Sequence, residues 1–180
     1  MTTDLASTNR QQGATTMAVR HLGNERTRAD TDGLDFVMER VFDAPRELVW
    51  RVFTEADRIA RWWGTHGSRT EVVEQDFRVG GAWRYISHAD DRDPVPFKGR
   101  FLEIDAPARI VYTFTVDIPE MSDMEGVITA AFEDLGNGRT RFTERTTFPS
   151  AEVLEGQIEV GMVRGALEQW DRLADEIALG

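Results

Sequence analysis

Val41–Trp50 reads VFDAPRELVW, and Trp62–Gly64, which reads WWG, begins twelve residues further on. Alternating residues up to Phe42 predict a strand. Pro45 then marks the beginning of a short helix, because proline at a first helical position gives up only an N–H that would have no partner there. A second short helix is predicted over residues 55–63, closing on the paired tryptophans. A strand followed by two short helices therefore opens the regular part of the chain.

Six further strands are predicted downstream, each bounded by turn residues. They cover approximately residues 70–77, 82–87, 97–104, 109–116, 126–133 and 140–148. From Ser150, which can cap a helix, apolar residues recur every three or four positions and predict one helix of nearly thirty residues. Gly161 and Gly165 would weaken this helix by about 1 kcal/mol each, which predicts that the helix approaches the sheet closely there. The predicted class is α+β, a curved antiparallel sheet of about seven strands with two short helices and one long C-terminal helix.

Composition excludes several classes of site and partner. The chain has 180 residues and no cysteine, so disulfides, thiolate metal sites and thiol nucleophiles are excluded. Its net charge of −11 argues against nucleic-acid binding, because an acidic surface repels phosphate. No apolar stretch approaches the roughly 18 residues that a transmembrane helix needs, and the start lacks a signal-peptide pattern. We therefore expect a cytoplasmic protein that does not insert into membranes.

The chain divides at about residue 33. Residues 1–33 are polar and carry few large apolar side chains, so they are expected to form a disordered tail or one that a partner subunit captures. Residues 34–180 are expected to form a single domain, large enough to enclose a core and a cavity.

Several motifs, in this order along the chain, resemble one known lineage. Besides the opening stretch they are Asp76–Trp83 (DFRVGGAW), Gly99–Ile104 (GRFLEI), Thr140–Thr143 (TRFT) and the pair Gly161-Met162 followed by Asp171–Leu173 (DRL). The chain resembles the START-like, or SRPBCC, superfamily of helix-grip and Bet v 1-like proteins. The most similar branch is that of the carboxy-terminal domain of the activator of Hsp90 ATPase. The resemblance implies a helix-grip fold with a ligand-sized cavity, and allows a homodimer. It supplies no catalytic residues that map onto this sequence.

Strand alternation predicts which side chains face the interior. An aromatic-rich set on the inward faces would suit a flat or greasy ligand, although the same residues could simply fill the core. The predicted ligand-binding residues are Trp62, Trp63, Trp83, Tyr85, Phe101, Tyr112, Phe114, Phe142, Glu144, Met162 and Trp170.

Glu144 differs from the rest of this set because it is an acid in an inward-facing position. A buried carboxylate must be paired or must have a raised pKa. It is therefore either a ligand-orienting group, a general acid or base, or a strand-end residue paired with Arg84, Arg100 or Arg145. It is the one candidate catalytic residue in the sequence.

Other reactive residue types form no recognisable site. His21, His66 and His88 lack metal-ligand spacing, and Asp90, Asp91 and Asp93 read as a solvated turn rather than a calcium loop. No nucleophile elbow or phosphate-binding glycine loop is present, so neither a metal nor a cofactor is predicted.

Three functions fit the sequence. The leading one is binding of a small apolar or aromatic molecule between the sheet and the C-terminal helix, without a reaction. The first alternative is a cyclase, dehydratase or hydrolase that uses Glu144 with Tyr85 or Tyr112 as acid and base. The second alternative is an interaction module associated with a chaperone or a regulator.

Overall fold

Within residues 19–180, the part of the chain that the computed structural model describes, nine antiparallel strands form one curved sheet. The strands are β1 (Arg20–His21), β2 (Arg28–Asp32), β3 (Asp35–Phe42), β4 (Arg69–Gln75), β5 (Ala82–Ala89), β6 (Arg92–Asp105), β7 (Arg109–Val116), β8 (Gly126–Gly136) and β9 (Arg139–Thr147). Their order in the sheet is β1-β2-β3-β9-β8-β7-β6-β5-β4. The helices are α1 (Arg46–Thr54), α2 (Ala56–Trp62), α3 (Ala151–Glu159) and α4 (Met162–Ala178), with a 3₁₀ helix at Pro119–Met124.

This arrangement confirms the predicted α+β class. The helices pack against the concave face of the sheet, where Trp170 of α4 lies against Phe142 of β9 with ring centroids 4.8 Å apart. Phe53 of α1 contacts the same Phe142 ring at 5.1 Å and stacks on Trp62 of α2 at 5.5 Å. The aromatic centre of the core therefore joins α1, α2 and α4 to the middle of the sheet.

The first two strands correct the predicted boundary at residue 33. β2 pairs with β3 over its whole length, and Ala29 is buried opposite Met38. The turn before β2 is held by Asn24, whose side-chain oxygen accepts hydrogen bonds from the backbone N–H groups of Arg26 and Thr27, both at 2.9 Å. Pairing with β3 supplies the stability that the small, polar side chains of this segment do not. The rest of the predicted tail, residues 1–18, lies outside the described residues.

The C-terminal helical region also differs from the prediction, because it consists of two helices instead of one. Ser150 caps α3 as predicted, accepting a hydrogen bond from Val153 N at 3.2 Å. The break falls at Gly161, whose φ of +94° lies in the left-handed region, and α4 begins at the next residue. The predicted close approach of Gly161 and Gly165 to the sheet is wrong. A Cβ at Gly161 would meet nothing within 4 Å, and one at Gly165 would make an ordinary contact with Thr65 at 3.6 Å.

These two glycines predict opposite effects of the same substitution. Gly165→Ala should raise the free energy of unfolding by about 0.5–1 kcal/mol, because alanine favours the helix and fits the available space. Gly161→Ala should lower it by about 1 kcal/mol or more, because alanine is strained at a positive φ. Urea denaturation of the two variants measures both. Equal effects at the two sites would contradict the break at Gly161.

A membrane span is not found among the helices of the described residues, since none is long and apolar enough to cross a bilayer.

Candidate functional site

A cavity of about 410 Å³ lies between the concave face of the sheet and helices α2, α3 and α4. Strands β4 to β9 and the 3₁₀ helix at Pro119–Met124 all contribute to its wall. Its volume is in the range of pockets that bind small molecules.

The wall is dominated by aromatic rings held against one another. Trp63 meets Tyr85 and Phe97 edge-on, with ring centroids 5.6 Å and 4.8 Å apart. Trp83 lies against Tyr85 at 4.8 Å and stacks on Phe114 at 6.1 Å. The rings other than that of Trp63 come from the adjacent strands β5, β6 and β7, so the sheet fixes their positions and they form a continuous apolar surface.

Trp63 is positioned by the loop that follows α2. Its carbonyl accepts a hydrogen bond from the Thr70 hydroxyl. Arg172 of α4 donates to the carbonyl of Arg61 at 2.7 Å and to that of Thr65 at 2.8 Å, which ties both sides of the tryptophan pair to α4. Trp62 is almost fully buried and donates from Nε1 to the carbonyl of Val52 at 2.8 Å.

Ten of the eleven residues predicted from the sequence lie in the cavity wall. They are Trp62, Trp63, Trp83, Tyr85, Phe101, Tyr112, Phe114, Glu144, Met162 and Trp170. Phe142 is the exception, since it is fully buried beneath the cavity between Phe132, Phe53 and Trp170. Phe142 does face the interior, as strand alternation predicts, but α1 and α4 separate its ring from the cavity. As ligand contacts, the other ten remain predictions.

Glu144 has none of the arginine partners suggested by the sequence. Arg84 pairs with Asp117 at 2.9 Å, Arg145 pairs with Asp35, and Arg100 donates to the Gly80 carbonyl at 3.3 Å. A β-strand places successive side chains on opposite faces, so Arg145 points away from the cavity that Glu144 faces.

The carboxylate of Glu144 instead accepts a hydrogen bond from the Tyr112 hydroxyl, at an O–O distance of 3.4 Å. Its side chain is half-buried and forms part of the cavity wall. Removal from bulk water raises the pKa of the Glu144 carboxyl to about 7, with the hydrogen bond from Tyr112 opposing the effect. Burial and the nearby carboxylate in turn raise the pKa of the Tyr112 hydroxyl well above its ordinary value. The pair can hold a proton at neutral pH, which suits either ligand orientation or acid–base chemistry.

A second series of hydrogen bonds begins in the cavity wall at Tyr85. The Tyr85 hydroxyl donates to Gln75 Oε1 at 2.9 Å, and Gln75 Nε2 donates to the Thr54 carbonyl at 2.5 Å. Burial raises the pKa of Tyr85 above its ordinary value, so this hydroxyl stays protonated at physiological pH. These hydrogen bonds link the cavity wall to the end of α1.

Several wall residues were missed by sequence reasoning. They are mostly polar or lie in connecting segments: Thr65, Gln75, Ser87, Arg92, Met121, Met124, Gln157 and Gln169. Strand alternation signals Ser87, which shares the inward phase of the buried Trp83 and Tyr85. Gln75 has the same parity as the exposed Glu71 and Val73, and the irregular register between Val72 and Glu74 turns it inward. Arg92, the first residue of β6, and Met121 and Met124 of the 3₁₀ helix carry no such signal, because their place in the wall depends on how the strands bring these segments to the cavity.

The described residues contain no group of three or more His, Cys, Asp or Glu side chains placed to hold an ion. His88 pairs with Glu71 at 2.9 Å and His21 contacts Asp30 at 2.5 Å, each as an isolated pair.

The arrangement of a curved antiparallel sheet closed by a C-terminal helical region over a cavity defines the START-like helix-grip class. A solution structure of a protein from Arthrobacter aurescens matches with a TM-score of 0.78 and 25% identity, covering 84% of this chain and 91% of that one. A crystal structure of protein Ms6760 from Mycobacterium smegmatis matches with a TM-score of 0.70 and 21% identity, covering 90% and 94%. The AHSA1 protein from Silicibacter pomeroyi matches with a TM-score of 0.66 and 17% identity, covering 81% and 98%.

Residues 43–178 match the family model described as Activator of Hsp90 ATPase homolog 1-like protein, and the chain belongs to that family. This confirms the resemblance noted in the sequence. None of the curated proteins compared with the chain matches it significantly.

Proposed function

We propose that this protein binds a small apolar or aromatic molecule in the cavity between the sheet and the C-terminal helices, without transforming it. The observation that carries the proposal is a cavity of about 410 Å³ whose wall is largely apolar and rich in aromatic rings. Rigid rings pay little entropy on binding, and burial of apolar surface supplies the driving force. The few polar groups in the wall would orient the ligand.

The first test is native mass spectrometry of the protein purified from the organism that makes it, followed by solvent extraction. A stoichiometric small molecule that is lost on unfolding supports the proposal and identifies the ligand class. At a hundredfold excess over Kd, such a ligand should also raise Tm by on the order of 5 °C. An empty protein whose Tm does not respond to a panel of apolar compounds would refute the proposal.

Filling the cavity provides a second test. Ala166 lies in the wall on α4, and Ala166→Trp should reduce ligand affinity at least tenfold because the indole occupies the ligand's space. The matched control is Asp175→Trp, which places the same side chain at an exposed position of the same helix. Titration calorimetry or thermal shift on both variants gives the comparison. Unchanged affinity in Ala166→Trp, with circular dichroism showing a native fold, would mean that the ligand binds elsewhere.

An acid–base enzyme is the second candidate, and the contact between Glu144 and Tyr112 is the observation that favours it. Glu144→Gln would then abolish turnover while leaving ligand binding intact.

An interaction module associated with a chaperone or a regulator is the remaining alternative. It depends on a filled core, so the cavity favours ligand binding over this alternative. A cytoplasmic location and a homodimer remain predictions.

A further inference from the structure

The interior of the cavity contains an acidic side chain that is not balanced by a basic one. Among the described residues of the wall, two carry a formal charge, Glu144 and Arg92. Arg92 is exposed at the rim, where it donates to the Thr65 hydroxyl at 3.0 Å. Glu144 faces the interior, and within residues 19–180 no arginine, lysine or histidine nitrogen lies within 4.0 Å of its carboxylate. The interior of the cavity therefore holds an acid without a cation.

The hydrogen-bonding capacity of Glu144 is also largely unused. An ionised carboxylate can accept about four hydrogen bonds. Among residues 19–180 one protein donor is present, the Tyr112 hydroxyl, and its distance of 3.4 Å is long for an O–H donor to a charged acceptor. A ligand atom that donates to Glu144 would complete the site.

Aromatic rings surround this acceptor. Tyr112 lies edge-on to Trp83, with ring centroids 6.1 Å apart, and Trp83 stacks on Phe114 at the same separation. The faces of such rings carry partial negative charge and attract cations. A carboxylate beside electron-rich rings favours a positive group and disfavours a negative one.

We propose that the ligand is an amine: a protonated nitrogen donates to Glu144, and an apolar, preferably aromatic, body fills the space between the rings. This inference rests on the proposed function and specifies its ligand. A protonated amine supplies the missing charge and the missing donor at once. Neutral aromatic molecules would supply neither, and carboxylic acids would meet repulsion inside the cavity.

The proposal predicts a definite pH dependence. The titratable groups that face Glu144 from the surrounding elements are Tyr112 of β7 and Tyr85 of β5, and the charged Arg92 lies at the rim. The pKa values of both tyrosines are raised, so both hydroxyls stay protonated between pH 5 and 8. The neighbouring strands place Met38 and Ala130 beside Glu144, and neither titrates. The wall residues of α3 and α4 carry no titratable group. Amine binding should therefore follow the ionisation of Glu144 alone, tightening roughly 25-fold between pH 5.5 and 7.5.

The experiment uses three probes that share one ring system: 2-(aminomethyl)naphthalene, 2-naphthalenemethanol and 2-naphthoic acid. Titration calorimetry at pH 5.5, 6.5 and 7.5 is expected to rank the amine first and the acid last at pH 7.5, with only the amine tightening as the pH rises. Glu144→Gln should weaken the amine about 10- to 100-fold and leave the alcohol within about twofold. Glu133→Gln, at an exposed position of β8, is the matched control and should change neither.

The possible outcomes distinguish a wrong ligand class from the absence of a ligand site. If the alcohol binds as tightly as the amine, or if amine affinity does not rise with pH, the amine proposal is overturned while ligand binding stands. Affinity for the alcohol that falls as the pH rises would also overturn it, because a protonated Glu144 would then be donating to the ligand. If no probe binds and the panel of apolar compounds also fails, the proposed function itself is wrong. Should Glu144→Gln fail to fold, the pH profiles of the unsubstituted protein still decide.

Discussion

Glu144→Gln is expected to make the ligand-free protein more stable above pH 7, even though it removes a hydrogen-bonding carboxylate from the core. Burial raises the pKa of Glu144 from an ordinary value of 4.5 to about 7. That difference corresponds to roughly 3 kcal/mol of penalty for the ionised form in the folded protein. Glutamine carries no charge and can still accept a hydrogen bond from Tyr112. The variant should therefore gain about 1–3 kcal/mol at pH 8.

The sign of the pH dependence follows from proton linkage. Between pH 4.5 and about 7 the folded protein holds the Glu144 proton more tightly than the unfolded chain does. Its stability therefore falls as the pH rises through this window, and the penalty is complete above it. The difference between Glu144→Gln and the unsubstituted protein should be smallest at pH 5 and largest at pH 8.

Urea denaturation at pH 5, 6, 7 and 8 measures this difference. Glu133→Gln again serves as the control, since its exposed side chain pairs with Arg141 at the surface and should leave the profile unchanged. A variant that is less stable than the unsubstituted protein at pH 8 would show that Glu144 is stabilised as an anion, either by water or by a cation. The bound amine proposed above should also remove the difference, because it offsets the same charge.

The fold could be predicted largely because its signals are local and strong. The Val41–Trp50 stretch specifies a strand and a helix within ten residues, and the C-terminal periodicity specifies an amphipathic helical region. The missed strands β1 and β2 carry no such signal. Ala29 is the one apolar residue in β2, so the strand depends on pairing with β3 rather than on its own pattern. Its formation is a tertiary effect that no local reading of the sequence contains.

The site divides in the same way. Strand phase places Glu144 inward, and the structure agrees. Phase does not determine what lies above a side chain, which is why Phe142 was expected in the cavity wall and is instead covered by α1 and α4. The partners of Glu144 were missed for a related reason. Each candidate arginine is nearby in the sequence or the sheet, but Arg84 and Arg145 are paired with Asp117 and Asp35.

Gly99→Ala is expected to cost about 3 kcal/mol or more in the free energy of unfolding. A Cβ at this position of β6 would lie 1.8 Å from the backbone carbonyl oxygen of Thr113 in β7, and 2.6 Å from Trp83 Nε1 in β5. A backbone oxygen cannot rotate away as a side chain can, so the two strands would have to separate. Gly156→Ala is the matched control, because an added Cβ there meets nothing within 4 Å and alanine favours the α3 helix.

Gly99→Ala should also change the shape of the cavity. The buried Trp83 Nε1–H has no hydrogen-bond partner among the described residues and packs against Gly99. Because Gly99 has no side chain, the Trp83 ring can lie close to the backbone of β6 and away from the ligand space. A Cβ would push this ring toward the ligand space that it shares with Tyr112 and Phe114. Gly99→Ala should therefore weaken binding of the naphthalene probes even at temperatures where it remains folded. Equilibrium denaturation and probe titration measure the two effects separately. A variant with unaltered stability would contradict the close approach of β6 to β7, whereas lost stability with unaltered binding would place Trp83 outside the ligand site.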